Sequence, residues 1–119
     1  MELDQKMLNQ VVRFVEDKKG GEITLLNLKG ISLVTDYCLL ITANSTTQVK
    51  AITSHLEEKL PEIGIRVLHI EGLPDAQWVL IDCSVDLVIH VMTPEQRDFY
   101  QLERLWKDAQ IMSLEVNQL

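Results

Sequence analysis

The chain has 119 residues, of which 46% are hydrophobic and 24% charged, with two cysteines and a net charge of −7. These values suit one soluble globular domain that builds its own core without disulfides or a structural metal, and no apolar run approaches the roughly 20 residues of a membrane span. The charge is uneven: residues 1–61 carry eight acids and seven bases, residues 62–119 ten acids and four bases, which argues against a direct grip on a phosphate backbone, and so against sequence-specific nucleic-acid binding, and leaves plain solubility or a basic partner protein.

The N-terminal stretch MELDQKMLNQ has neither the apolar centre of a signal peptide nor the arginine pattern of a transit peptide. The expected compartment is therefore the cytoplasm, or an organelle matrix after loss of a presequence. Leu3, Met7, Val11, Phe14 and Val15, joined by Leu8 and Val12, predict a helix with one buried stripe. Gly20-Gly21 ends it, glycine tolerating the left-handed turn of a helix end. EITLLNL from Glu22 reads as a strand, Gly30 closes it, and ISLVTD connects onward. YCLLITA, from Tyr37 to Ala43, is apolar on both faces and suits a central strand covered on both sides. Ser45 with Gln48 forms a capping box, and Val49, Ile52, Leu56 and Leu60 continue at helical spacing until Pro61 and Gly64.

IRVLHIE, from Ile65 to Glu71, is a third strand, and GLPDAQ is a loop. Trp78 to Met92 supplies two more strands joined as an antiparallel hairpin. Thr93, Pro94 and Gln96 repeat the capping-box pattern, and Phe99, Leu102, Leu105 and Trp106 give the last helix its apolar face. Residues 110–119 form a tail that extends the helix, docks or frays. The order predicts a single α/β domain over 1–109, with a mixed, mostly five-stranded sheet and helices packed on it.

Chemistry is harder to find. Asp82 and Asp86 flank the hairpin turn, but lack the D-x-D spacing and the glycine-serine phosphate turn that a metal-dependent nucleotidyl transfer site wants. Aspartate at a hairpin end serves the turn itself. His69 and Glu71 share a strand face without a third ligand, and His55 reads as a solvated helix residue. Cys38 and Cys83 read as free thiols, with Cys83 exposed in the turn but with no base beside it to activate it. There is no G-x-S-x-G, P-loop or G-x-G-x-x-G. The sequence therefore predicts no enzyme, no metal and no cofactor. Alternation along the hairpin puts Val85, Leu87, Ile89 and Val91 on one face, the core, and Asp86, Val88, His90 and Met92 on the other. With Trp78 the second set makes either an aromatic and aliphatic binding patch or a face that the last helix covers.

Several segments in this order resemble the ribosomal silencing factor family, the Iojap-like proteins. They are TDYCLLITANSTTQVKAI (35–52), WVLID (78–82), VIHVM (88–92) and RDFYQLERLWKDA (97–109), spread across most of residues 3–109. The resemblance implies a nucleotidyltransferase-like sheet without transferase activity. It also implies binding to a basic protein, large-subunit protein number fourteen, on the intersubunit face of the large ribosomal subunit. Such binding obstructs joining of the small subunit and lowers translation when nutrients are scarce. Carried over residue by residue, the implied partner-binding positions are Trp78 and Val79, His90 and Met92, and Arg97, Tyr100 and Glu103. The family hairpin is D-x-G-D, whereas this chain has Asp82-Cys83-Ser84-Val85-Asp86, one residue longer and without the glycine. A one-residue slip there exchanges the faces of strand five, so the side on which His90 and Met92 lie stays open. Two alternatives also stay open: a diverged metal-dependent nucleotidyltransferase using Asp82 and Asp86, and a homodimer that pairs through the Trp78 face.

Overall fold

Alternating burial along each strand fixes how this chain layers itself. In the computed structural model, which describes residues 3–33, 35–105 and 110–112, the elements run α1 (Gln5–Asp17), β1 (Gly21–Asn27), β2 (Tyr37–Thr42), α2 (Thr46–Lys59), a 3-10 turn (Leu60–Ile63), β3 (Val67–Glu71), β4 (Trp78–Cys83), β5 (Leu87–Met92), α3 (Pro94–Tyr100), α4 (Leu102–Leu105) and β6 (Gln110–Met112). The strands form one mixed sheet in the order β3-β4-β5-β2-β1-β6. Only the central β2–β5 pair is parallel; the other four pairings are antiparallel. The five strands expected from the sequence are present, and β6 adds a short sixth at the β1 edge.

One face of the sheet meets α1 and α2. Leu25, Leu39, Ile41, Val79, Ile81, Leu87, Ile89 and Val91 are fully buried there against Val11, Val15, Val49, Ile52 and Leu56. Burying each such side chain is worth about 1.5–3 kcal/mol, and this layer carries most of the stability. The helices are fixed at their ends. Asp4 caps α1, its Oδ1 accepting from the Met7 N–H at 2.8 Å. Ser45 caps α2 by accepting from the Gln48 N–H at 3.1 Å, and Gln48 reaches back to the Asn44 N–H. The Gln48 amide also donates to the Lys18 and Lys19 carbonyls, tying the end of α1 to the start of α2.

The opposite face carries a smaller apolar cluster of Leu26, Leu28, Cys38, Leu40, Met92 and Leu102, with Trp78 packed at its margin. Among the described residues, α3 and α4 form only a partial cover here.

Several sequence expectations change in physical detail. The left-handed residue after α1 is Lys19 (φ 62), not a glycine. Gly20 is required for space, because a Cβ there would run into Val15 and crowd Ile41 and Ile52. The third strand starts at Val67, with Ile65 buried beneath the sheet edge. The second capping box does not form: Thr93 makes no side-chain cap bond, and Gln96 donates instead to the Gln77 side chain at 3.2 Å. The last helix is not continuous. Gln101 adopts a left-handed conformation (φ 46) and splits it into α3 and α4. The break turns Phe99 outward to 78% exposure while Leu102 is buried; Trp106 lies outside the described residues. His55 is not solvated, since it sits edge-on to Phe14 and 3.2 Å from the Asp17 carboxylate.

The hairpin turn resolves cleanly. Cys83 pairs with Leu87 and Trp78 with Met92, with no shift between them. The connection is Ser84-Val85-Asp86, with Val85 (φ 58) and Asp86 (φ 54) in the left-handed region. Holding a β-branched residue there costs about 1–2 kcal/mol. The Asp86 carbonyl offsets it by accepting from the Tyr37 N–H at 2.9 Å and the Thr35 hydroxyl at 2.6 Å.

The turn before β4 has its own constraint. Gly72 has φ +91, and a Cβ there would collide with the Trp78 carbonyl. Gly72→Ala is expected to lower unfolding stability by about 2 kcal/mol or more in denaturant titration. An unchanged midpoint would contradict the close approach.

Candidate functional site

The part of the second sheet face that α3 leaves open begins at Trp78. The β4–β5 register puts Trp78, Leu80 and Asp82 on the same side as Val88, His90 and Met92. Trp78, Leu80, Asp82 and Val88 are half-buried, while His90 and Met92 lie underneath at 6% and 0% exposure. From α3, Tyr100 leans on the indole with ring centroids 4.8 Å apart, and Phe99 stands edge-on to Tyr100 at 4.9 Å. Tyr100 is 50% exposed. The three rings form a ledge between sheet and helix, with an apolar body and a wet rim. Exposed aromatics in contact with one another are costly in water and are the residue types that anchor protein interfaces. Glu95 and Asp98 are exposed on α3, and the local charge is negative.

His90 is the buried end of this cluster. Its Nδ1 accepts from the Trp78 indole N–H at 3.0 Å. A neutral imidazole accepting at Nδ1 carries its proton on Nε2. Burial pushes the His90 pKa down from 6.5 to about 4, which holds the ring neutral.

Arg97 fastens α3 to the sheet. Its guanidinium donates to the Glu22 carbonyl, to the Thr42 hydroxyl at 3.0 Å and to the Thr24 hydroxyl at 3.1 Å. Nε and Nη2 both donate to one Glu103 carboxylate oxygen, at 3.1 and 3.0 Å. The Glu22 carbonyl is available because β1 bulges there, with a register shift between Gly21 and Thr24 and Glu22 at φ 44. Arg97 is 8% exposed. A cation so deeply placed persists because every side of it is hydrogen-bonded.

The seven positions carried over from the resemblance therefore separate. Trp78 and Tyr100 meet on the ledge. His90 and Met92 share its face but lie beneath it, so the longer hairpin has not exchanged the faces. Val79 points to the other side of the sheet and is fully buried in the main core. Arg97 and Glu103 form a clamp away from the ledge, with Arg97 buried and Glu103 half-exposed at the wall of an open cleft. Phe99 belongs to the ledge although its spacing assigned it to a buried helix stripe.

Both cysteines are buried free thiols. Cys83 is not exposed in the turn: it is 3% exposed and faces the main core, and burial, with the nearby Asp82 charge, pushes its pKa up to about 12. Burial and then Glu103 do the same for Cys38. An open cleft of about 480 Å³ lies between α3, α4 and the β1–β2 ends, lined by Glu22, Thr42, Arg97, Asp98, Glu103 and Arg104 among others. Neither Asp82 nor Asp86 lines it. Among the described residues no three His, Cys, Asp or Glu side chains group as metal ligands, and no helix is long and apolar enough to cross a membrane.

Comparison with known proteins gives a consistent picture. Residues 2–119 match the family model described as ribosomal silencing factor during starvation. The ribosomal silencing factor RsfS of Halalkalibacterium halodurans is 43% identical over 112 residues, covering 94% of this chain and 95% of that protein. A crystal structure of a Chromobacterium violaceum protein superposes with a TM-score of 0.82 at 34% identity, covering 98% of this chain and 95% of that one. A more distant mouse relative, 26% identical over 83% of this chain and 44% of its own length, is named mitochondrial assembly of ribosomal large subunit protein 1.

The buried imidazole sets a pH dependence. Above pH 6.5, His90 is neutral folded and unfolded alike. As pH falls from about 6.5 through about 4, the unfolded chain takes up a proton that the folded chain refuses, and stability is lost. The loss is on the order of 3 kcal/mol. The stability difference between wild type and His90→Asn, measured by denaturant unfolding at pH 7.5 and pH 4, is expected to shift against wild type by about that amount. A difference independent of pH would contradict a neutral buried His90.

Proposed function

The chain belongs to the ribosomal silencing factor family, and we propose that it binds the large ribosomal subunit through the Trp78–Tyr100–Phe99 ledge. The observation that carries this reading is the cluster of three aromatic rings in contact at the sheet margin, with the outermost, Phe99, 78% exposed. The partner is the basic protein number fourteen of the intersubunit face. Once seated there, the domain stands where the small subunit must dock, so association is blocked and translation falls under nutrient limitation.

Three features support the assignment. Central aromatic side chains are the common hot spots of protein interfaces. The acidic second half of the chain complements a basic surface and steers encounter with it. The mouse relative's name ties a homologous chain to the large ribosomal subunit. The interacting residues are Trp78, Tyr100 and Phe99, with Leu80 and Val88 continuing the apolar surface along the sheet. His90 and Met92 support the ledge from below, and Arg97 with Glu103 sets the position of α3. A ribosome-bound regulator of this kind acts in the compartment of its ribosomes, the cytoplasm of a bacterial cell. A homodimer through the same ledge competes with the ribosome for it. The metal-dependent transferase reading gains no support from the geometry, because other residues than Asp82 and Asp86 line the cleft.

The test is co-sedimentation with purified large subunits. Wild type is expected in the subunit pellet, and Trp78→Ala is expected to bind about thirty-fold more weakly, equivalent to about 2 kcal/mol. A folded wild-type chain that stays in the supernatant would overturn the ribosomal reading. Equal binding by Trp78→Ala would move the interface elsewhere on the domain.

A further inference from the structure

We infer that His90 is a positioning residue for recognition: it makes no contact with the partner, and its Nδ1 fixes the rotation of the Trp78 indole that the partner meets. This rests on the reading of Trp78 as a contact residue.

Besides its packing at the margin of the second apolar cluster, the indole has two specific restraints. Its N–H edge points inward to His90 at 3.0 Å, and one ring face leans on Tyr100 at 4.8 Å between centroids. The strand backbone does not determine the ring rotation, because the terminal torsion of an aromatic side chain has broad, roughly two-fold minima. In the alternative rotation the N–H edge points to water and the apolar edge lies over the imidazole. Only the inward rotation gives the buried nitrogen its donor. His90 is 6% exposed, so an unmet acceptor there is penalised, and the inward rotation is selected.

The acceptor must also stay an acceptor. A protonated imidazole would present two donors to the indole donor and reject it. Burial, which lowers the His90 pKa to about 4, keeps the imidazole neutral near pH 7, and the Trp78 N–H selects the tautomer that leaves Nδ1 without a proton. His90 sits on β5 opposite Leu80, and Trp78 pairs with Met92, so neighbouring strands of one hairpin hold both partners in register. Preorganising a contact side chain in its bound orientation improves affinity by removing an ordering cost at association.

The experiment is a double-mutant cycle on binding to purified large subunits, with full-length protein and with folding checked for each variant. His90→Leu removes the acceptor and keeps an apolar filler. Trp78→Phe removes the donor and keeps an aromatic ring. His90→Asn returns an acceptor oxygen to about the position of Nδ1. His90→Leu is expected to weaken binding about tenfold in the Trp78 chain and less than two-fold in the Trp78→Phe chain, and His90→Asn is expected to bind within about three-fold of wild type. Equal losses in both backgrounds would show that His90 acts by direct contact or through the fold, and would overturn the inference. So would no loss in His90→Leu while Trp78→Ala loses binding, a result that leaves the contact reading standing. If Trp78→Ala binds like wild type, the contact reading itself fails and the inference falls with it. A measurement on the unmutated protein covers the case in which His90→Leu does not fold. The Trp78 indole N–H, assigned by its loss in Trp78→Phe, is expected to exchange with solvent slowly; exchange as fast as that of free indole overturns the inference.

Discussion

The surface of this domain depends on one buried cation. Arg97 lies on a seven-residue helix that is too short to be stable alone. Its guanidinium reaches the β1 bulge at Glu22, the hydroxyls of Thr24 and Thr42, and the Glu103 carboxylate of the next short helix. Four chain segments are thereby joined through one planar group. The bulge makes this feasible by turning the Glu22 carbonyl out of the strand ladder. The guanidinium makes the bulge tolerable by satisfying that carbonyl. The two features support one another, as in a buried ionic network that sets geometry more than it adds stability.

The two sheet faces divide the work. The face under α1 and α2 is a closed aliphatic layer, and its strands contribute every second residue to it. The described residues finish the other face only in part. A small cluster around Leu26, Leu40, Met92 and Leu102 is sealed by α3 and α4, and the remainder stays half-open at Trp78, Leu80 and Val88. The aromatic ledge exists because α3 ends where it does: the left-handed Gln101 stops the helix directly after Tyr100, so Phe99 and Tyr100 overhang the sheet instead of continuing a buried stripe. A site built this way has a rigid floor, with buried His90 and Met92, and a rim set by a short helix. Apolar anchors on a rigid support are what recognition of another protein surface requires.

Much of this was legible in the sequence, for identifiable reasons. Strong periodicity placed the helices and five strands in their correct order, and Ser45 with Gln48 marked the start of α2. The alternation grouped His90 and Met92 on one face, and the observed register sets that face on the side of Trp78 although the turn is one residue longer than the family's and lacks its glycine. Val79, which the resemblance suggested as a contact, lies in the core. Other features leave no local trace. Whether His90 and Met92 are exposed depends on a helix packed over them from later in the chain. Thr93 and Gln96 have the letters of a capping box, but Gln77, distant in sequence, takes the glutamine. The break at Gln101, the bulge at Glu22 and the burial of Arg97 all involve residues that avoid such settings on average, so tertiary contacts alone select them. The edge strand β6 is three residues long and carries no periodic signal.

The central claim is that Arg97 holds α3 against the sheet and so creates the ledge. Amide hydrogen exchange on an Arg97→Met variant tests it most directly, read segment by segment alongside binding to large subunits. The account predicts that amides of α3 lose most of their protection while those of β2, β4 and β5 keep theirs, and that binding falls together with α3 protection. An α3 as protected as in wild type, or a variant with unprotected α3 that still binds at full strength, would contradict it.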